Sequence, residues 1–373
     1  MIFLYIIIAL SSSVIAFINI NPQFGSNPTS KQKQYYSTLS NYDTNEFINL
    51  EETLMMTEKM TIKDFFKEYP NQKPYLDIKP KNIDIDAFKN ESNHLIKFSW
   101  LGHSAFLFNI EGKLILLDPM LSEYAAPIPV PSLKRYNSTM PFSIEDISTI
   151  DIVIISHDHY DHLDFPTIKK LKNKVKRFIV PHGIGNHLKN WGVNEKYISE
   201  LNWNENIKID GIELICLPSR HFSGRGPMNR NSTLWSSWAI NSKSGKIYFS
   251  GDSGYGSHFK TIGDEFGPFD LVLIDSGQYN SAWKHSHMFP HESVQAAQDL
   301  KGEYFMPIHW GGFTLSTHSW VEPIENAIIN AKKINQKIIA PQIGQIVVMD
   351  NINLDINKWW EKFMQKNISS NQN

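Results

Sequence analysis

The 373-residue chain reads as a layered α/β fold, and three observations carry that reading. From Ile96 onward, apolar runs of strand length recur between polar stretches. Segments able to form helices follow several of these runs. Histidines and aspartates stand just beyond the ends of separate runs, where an α/β sheet gathers the side chains that bind ions or substrates.

Taken in chain order, Met1 to Ile18 is apolar and carries no charged side chain, at the lower limit of length for a membrane-spanning helix. It predicts an export signal, cut after Ala16 where Val14 and Ala16 are small, or a retained membrane anchor. Either places the protein outside the cell or at a membrane. Residues 19–45 are dominated by Asn, Ser, Thr, Lys and Tyr and read as an extended linker. Glu46 to Tyr69 has weak helical periodicity, with Met55, Met56, Met60, Phe65 and Phe66 available for an apolar face. Pro70, Pro74 and Pro80 then stop regular structure, so residues 19–95 form a linker and accessory segment packed on the main domain.

The main domain spans residues 96–345. Its apolar runs are Leu95 to Leu101, followed by Gly102 and His103; Leu114 to Leu117, ending at Asp118; and Ile152 to Ile155, ending at Ser156 and His157. Leu214 to Leu217 precedes His221, and Ile247 to Phe249 precedes Gly251 and Asp252. Leu271 to Ile274 ends at Asp275, and Met306 to Ile308 at His309. Asp164 is placed to cap a helix from Phe165 to about Lys172, with Pro166 tolerated in its first turn. Residues 346–373 read as a C-terminal helix and tail.

Composition narrows the chemistry. Thirty-six basic side chains face 38 acidic ones, which argues against a general nucleic-acid coat and leaves a local basic patch open. A single cysteine, Cys216, forms no intrachain disulfide, excludes an all-cysteine zinc site, and lies in an apolar run where a thiol is inert. Gly251-Asp252-Ser253-Gly254 is not a Gly-x-Ser-x-Gly nucleophile turn.

The densest signal is His157-Asp158-His159-Tyr160-Asp161-His162. Residues two apart in an extended segment point the same way, so His157 and His159 reach one ion. Imidazole suits zinc, with bonds of about 2.0–2.1 Å. Asp161 and His162, beyond a turn, reach a second ion. Asp252 offers one carboxylate oxygen to each, and His221 and His309 complete the two sets. Taken singly, the last three read equally as a turn residue, a loop histidine and a core histidine; their joint placement after strands favours the site.

The run HDHYDH resembles the His-x-His-x-Asp-His signature of the metallo-β-lactamase superfamily. FSWLGHSAFL, LLDPMLS, ISHDHYDHLD, PSRHFSGRG, RNSTLWSSW, FSGDSGY and PIHWGGF resemble, from about Ile96 to Ala340, the branch containing N-acylphosphatidylethanolamine-hydrolysing phospholipase D. The resemblance implies a four-layer αβ/βα sandwich with a metal centre at one edge, preceded here by an N-terminal extension. It implies two Zn2+ per chain, one held by His157, His159 and His221, the other by Asp161, His162 and His309, with Asp252 bridging. Other divalent transition metals also suit such a nitrogen and oxygen site. Asp118 matches an aspartate that orients a metal-bound histidine. His287 matches a histidine near the substrate phosphate, although His291 stands where the family more usually has a carboxylate.

The implied reaction splits N-acylphosphatidylethanolamine into phosphatidic acid and an N-acylethanolamine, with Asp161, Asp252 and His287 in catalytic roles. Trp235, Trp238 and Trp283 are offered as an acyl groove, against plain core packing. Arg225 and Arg230 are offered as phosphate contacts, against a solvated loop. The implied partners are a phospholipid and a membrane surface, with no nucleic acid and a homodimer left open. Two other readings stand beside this one: a hydrolase of the same fold acting on a soluble phosphodiester, lactone or nuclease substrate, and a non-catalytic, membrane-tethered binding protein.

Overall fold

The computed structural model describes residues 5, 12–13, 15–65, 67–90 and 95–364. A short hairpin, β1 (Tyr42–Asp43) and β2 (Glu46–Phe47), precedes the main domain. All seven apolar runs become strands. The first half of the domain holds β3 (Ile96–Trp100), β4 (Phe106–Ile110), β5 (Lys113–Leu117), β6 (Ile150–Ile154), β7 (Val175–Pro181) and β8 (Ile198–Leu201). The second half holds β9 (Asn206–Ile209), β10 (Ile212–Leu217), β11 (Ser237–Ser242), β12 (Gly245–Phe249), β13 (Phe269–Asp275), β14 (Gly302–Ile308) and β15 (Lys337–Ile338). The last strand, β16 (Ile346–Val348), returns to the edge of the first sheet beside β3.

Two seven-stranded sheets result, in the orders β16-β3-β4-β5-β6-β7-β8 and β15-β14-β13-β12-β11-β10-β9. Each holds three antiparallel pairings on one side and three parallel ones on the other, counted from β16 in the first sheet and from β9 in the second. The two halves therefore repeat one strand plan, although no sequence repeat is evident.

Side-chain alternation along the strands builds the layers. Phe98, Trp100, Phe106, Phe108, Ile115 and Leu117 point between the sheets and meet Leu214, Cys216, Trp238, Ile240, Ile247 and Phe249. Leu107, Leu114, Leu116, Val153 and Phe178 point outward, onto the helices Phe165–Leu171 and Ile184–Asn190. Across the molecule, helices His258–Glu265, Pro290–Asp299 and Glu322–Lys333 cover the second sheet. This is the four-layer sandwich. Asp164 caps its helix by accepting from Thr167 N at 3.2 Å. Cys216 is buried, and burial pushes its thiol far above the ordinary range, which keeps it inert.

Several terminal expectations are corrected. Residues 19–45 are not a plain linker, because Thr29 and Gln32 form a capping box on helix Ser30–Tyr36. Tyr36 then buries against Phe47 and His182, with ring centres 5.1 and 5.3 Å apart. The tyrosines of that polar stretch supply the apolar area that a linker lacks. Among the described residues, Glu46 to Tyr69 holds β2 at its start and a four-residue helix, Ile62–Phe65; between them runs an irregular strap tied to the domain by hydrogen bonds. At the other end the sheet extends past residue 345 through β16, and Trp359–Phe363 forms a 3-10 turn in place of an α-helix. Stacking holds it there, with Trp359 on Trp310 at 5.8 Å. Most of Met1 to Ile18 lies outside the described residues; among those described, no helix is long and apolar enough to cross a membrane.

Candidate metal centre

The strand plan brings the chemistry to one edge. In the first sheet β3, β5 and β6 run the same way, so His103, Asp118 and His157, which follow them, share an end. In the second sheet β10, β12, β13 and β14 run the same way and deliver His221, Asp252, Asp275 and His309. The two edges touch at Gly251, where a Cβ would lie 2.6 Å from Ser156 Cβ and 2.9 Å from the Ser236 carbonyl oxygen. Gly251 is also left-handed at φ 56°, a conformation that glycine adopts at no steric cost. His103, Asp118 and His309 are left-handed too, at φ 57°, 37° and 66°, a conformation uncommon outside glycine.

Two groups of side chains form. In the first, His157 Nε2 lies 2.9 Å from His159 Nδ1, which lies 3.2 Å from His221 Nε2. Burial holds all three imidazoles below their ordinary pKa, His157 and His221 well below, so they are neutral. His221 Nδ1 donates to the Ser286 carbonyl at 3.0 Å, which leaves the lone pair of Nε2 facing the group. The second group is His103, Asp161, His162 and His309.

Asp252 stands between the groups. Its Oδ1 is 3.1 Å from His162 Nε2 and 3.0 Å from His309 Nδ1, while its Oδ2 is 3.7 Å from both His157 Nε2 and His221 Nε2. Burial raises the Asp252 carboxyl, but His162 and His309 outweigh it and hold the group well below the carboxylate range. Asp161 is likewise held well below, with His162 and His103 overcoming burial. His162 is driven well above its ordinary value: burial opposes the proton, and Asp252 and Asp161 win.

Asp118 is fully buried and orders the histidines from behind. Its Oδ2 accepts from His162 Nδ1 at 2.7 Å, and its Oδ1 accepts from Ser156 N at 2.7 Å. The Ser156 hydroxyl links Asp118 to His157 Nδ1, 2.9 Å away. A carboxylate behind a histidine fixes its tautomer and raises its basicity as a ligand. Among the buried atoms that lack hydrogen-bond partners are the facing pair His162 Nε2 and Asp252 Oδ1. An orphaned nitrogen and oxygen beside converging neutral imidazoles fit a divalent cation in place of the proton on His162. The His/Asp cluster thus has the chemistry to bind metal ions.

His287 sits above this floor. Its Nδ1 is 2.9 Å from Asp275 Oδ2, and its ring stacks on His309 with centres 5.0 Å apart. Burial keeps His287 below its ordinary pKa and pushes buried Asp275 well above the carboxylate range. His291 is exposed on the first turn of the following helix, and Glu292 supplies the cap there by accepting from Phe289 N at 2.9 Å.

A cleft of about 250 Å³ opens over the cluster. His159, Asp161, Asp252, His287 and His309 make its polar floor; Met55, Met56, Phe222, Trp283 and Leu315 line its apolar side. Of the three tryptophans offered as an acyl groove, only Trp283 lines this cleft. Trp235 is fully buried and donates to the Ser219 carbonyl at 3.0 Å, and Trp238 donates to the Ile155 carbonyl at 3.1 Å. Arg225 is no phosphate contact either. Its buried guanidinium donates to the carbonyls of Asp158, Leu163 and Gln23 at 2.6, 2.7 and 2.8 Å, so it ties the HDHYDH loop to the N-terminal segment. Arg230 is exposed, lies against the Phe222 ring at 5.7 Å and does not line the cleft.

Sequence reasoning missed His103, whose Nε2 is 2.8 Å from Asp161 Oδ2, and Asp275 beneath His287. Both carried the signal used elsewhere, a polar residue directly after an apolar run. It also missed Met55 and Met56 as cleft residues, since nothing in the sequence ties residue 55 to His287.

With this geometry the class is defined: the protein is a metal-dependent hydrolase of the metallo-β-lactamase superfamily. Residues 113–310 match the family model described as Beta-lactamase superfamily domain, and the chain belongs to that superfamily. It is similar to an uncharacterized protein of Mycobacterium tuberculosis, 36% identical over 329 residues, 86% of this chain and 87% of that one. It is also similar to the Caenorhabditis elegans N-acyl-phosphatidylethanolamine-hydrolyzing phospholipase D 1, 35% identical over 270 residues, 68% of this chain and 75% of the relative. Among solved structures, the isothiocyanate hydrolase from Delia radicum gut bacteria shares the fold at 19% identity and TM-score 0.54, covering 67% of this chain and 98% of its own.

Proposed function

We propose that the protein is a dinuclear-zinc phosphodiesterase of the phospholipase D type, cleaving N-acylphosphatidylethanolamine to phosphatidic acid and an N-acylethanolamine. The observation that carries the reading is Asp252, with one carboxylate oxygen turned to each half of the cluster, at the floor of a cleft with an apolar wall. The relative from Caenorhabditis elegans supports the choice of lipid.

His157, His159 and His221 would hold one cation, and Asp161, His162 and His309 the other, with Asp252 between them. When bound, such a pair supplies a nucleophilic water near neutral pH and offsets charge on phosphoryl oxygens. Asp118 and Ser156 keep the imidazoles of His162 and His157 in register. His287, steadied by Asp275, faces the cleft and is the residue to give a proton or hydrogen bond to the phosphate or the leaving oxygen. Met55, Met56, Phe222, Trp283 and Leu315 would receive the apolar part of the substrate. The apolar N-terminus would keep the enzyme exported or at a membrane, beside its lipid.

The test is hydrolysis of mixed phospholipid vesicles with head-group products identified by mass spectrometry, alongside metal analysis of the purified chain. Release of phosphatidic acid and N-acylethanolamine with about two zinc ions per chain is expected. Activity on soluble diesters alone would replace the lipid reading, and an inert chain after zinc loading would remove the enzyme.

A further inference from the structure

The strap of residues 49–58 belongs to the N-terminal accessory segment, far in sequence from the strand ends that build the site. Yet it is tied to both loops over the metal cluster. Asn49 grips the backbone of His221 on two sides: its Nδ2 donates to the His221 carbonyl at 2.8 Å, and its Oδ1 accepts from His221 N at 3.1 Å. The same Oδ1 lies 3.2 Å from the buried indole nitrogen of Trp235, which orients the amide. Further along, Leu54 N donates to His285 Nδ1 at 3.2 Å, Thr57 N donates to the Ala282 carbonyl at 2.7 Å, and the Thr57 hydroxyl donates to the Ser281 carbonyl. That second loop carries Ser286, whose carbonyl fixes the His221 ring.

His221 lies in a loop four residues beyond the end of β10, so no sheet ladder holds its backbone. We infer that Asn49 is a positioning residue for His221: its side-chain amide replaces the missing ladder and keeps Nε2 aimed at His157 and His159. A histidine ligand whose backbone is free to shift binds its ion less tightly, and the loss of an outer-shell partner typically costs about 10–100-fold in metal affinity. The inference rests on the reading of His221 as a metal ligand and is independent of the substrate.

The experiment is zinc affinity of the full-length chain, measured by competition with a chromogenic chelator, for wild type, Asn49→Leu, Asn49→Asp and Thr57→Val. Asn49→Leu keeps the shape and removes both hydrogen bonds to His221, together with the contact to Trp235 Nε1; about tenfold or greater weakening is expected. Asn49→Asp keeps the acceptor for His221 N and loses the donor, so a smaller loss is expected, with partial rescue relative to Asn49→Leu. Thr57→Val removes only the hydroxyl bond from the strap to the Ser281 carbonyl and is expected to stay within about twofold of wild type, since it touches no group on His221. Circular dichroism and thermal melting establish that each variant is folded. A folded Asn49→Leu that holds zinc as tightly as wild type overturns the inference. So does Thr57→Val weakening zinc as much as Asn49→Leu, because the strap would then act through general stability. If Asn49→Leu does not fold, unchanged affinity in Asn49→Asp overturns it. Absence of zinc binding by wild type would remove the metal reading itself.

Discussion

Asp252 Oδ1 and His162 Nε2 face each other across 3.1 Å, both buried, and neither has a hydrogen-bond partner. Such a pair inside a protein is costly unless something sits against it. Asp252→Asn removes one anionic oxygen from between the two groups. It is expected to lower turnover by at least about 100-fold and to reduce bound metal, since a direct ligand should cost no less than an outer-shell one. Wild-type turnover with full metal content by elemental analysis would refute the bridging role.

Asp118 holds His162 directly and His157 through Ser156. Asp118→Asn places an amide where both neighbours need an acceptor. Metal affinity should fall about 10–100-fold. Stability should fall by about 1–3 kcal/mol, the cost of leaving a buried polar group unsatisfied. Chelator competition and denaturant melts read the two effects separately.

The arginines divide. Arg225→Ala removes donors to three carbonyls and is expected to destabilise the chain by more than ~2 kcal/mol, within the range for hydrogen bonds from a charged group. Arg230→Ala, at an exposed side chain, should stay within about 0.5 kcal/mol. Equal urea midpoints for the two variants would contradict the structural role of Arg225.

Met55 and Met56 wall the cleft. A fully covered methionine is worth about 1.5–3 kcal/mol, and the value is smaller here because Met55 is half-buried and Met56 exposed before substrate binds. The double variant Met55→Ala/Met56→Ala is therefore expected to lose about tenfold in kcat/KM on long-chain lipid and to keep its rate on a short soluble diester. A uniform loss on both substrates would show that the methionines hold structure and do not select the substrate.

Acid should unfold the metal-free chain. His258 is buried and falls from 6.5 to about 4, with burial and Arg220 outweighing Glu51, and its Nε2 lies 3.3 Å from the Ser253 hydroxyl. The site histidines His157, His159 and His221 shift the same way. A histidine depressed on folding binds its proton more readily when unfolded. Its contribution is therefore whole above about pH 6.5 and lost as the pH falls toward about 4. His162 and the carboxyls of Asp164, Glu200 and Asp275 oppose this, being raised, but the depressed histidines outnumber them, with His103, His182, His187, His287 and His318 adding to those named. Melting temperatures of the metal-free chain should drop steadily between pH 7 and pH 5; a flat profile would contradict the neutral buried state.

The sequence by itself determined the strands and the ligand-type residues. Apolar runs of strand length ending in His or Asp are local patterns, so β3, β5, β6, β10, β12, β13 and β14, with the residues just past their ends, were legible from spacing. The HDHYDH run was legible for the same reason. Strands such as β7 and β9 were not, because charged residues interrupt them and only neighbouring strands define their faces.

Tertiary structure alone decided the rest. It turned Arg225 and Trp235 inward, since a cation or indole in a loop can serve a ligand or satisfy buried carbonyls, and only the positions of those carbonyls settle which. It joined His103 to Asp161 and set His287 on Asp275. It also carried Asn49 to His221, 172 residues later, and Met55 and Met56 to the cleft over the same cluster. Contacts at such separation leave no periodicity in a sequence, because they are fixed by how whole layers pack and not by neighbouring residues.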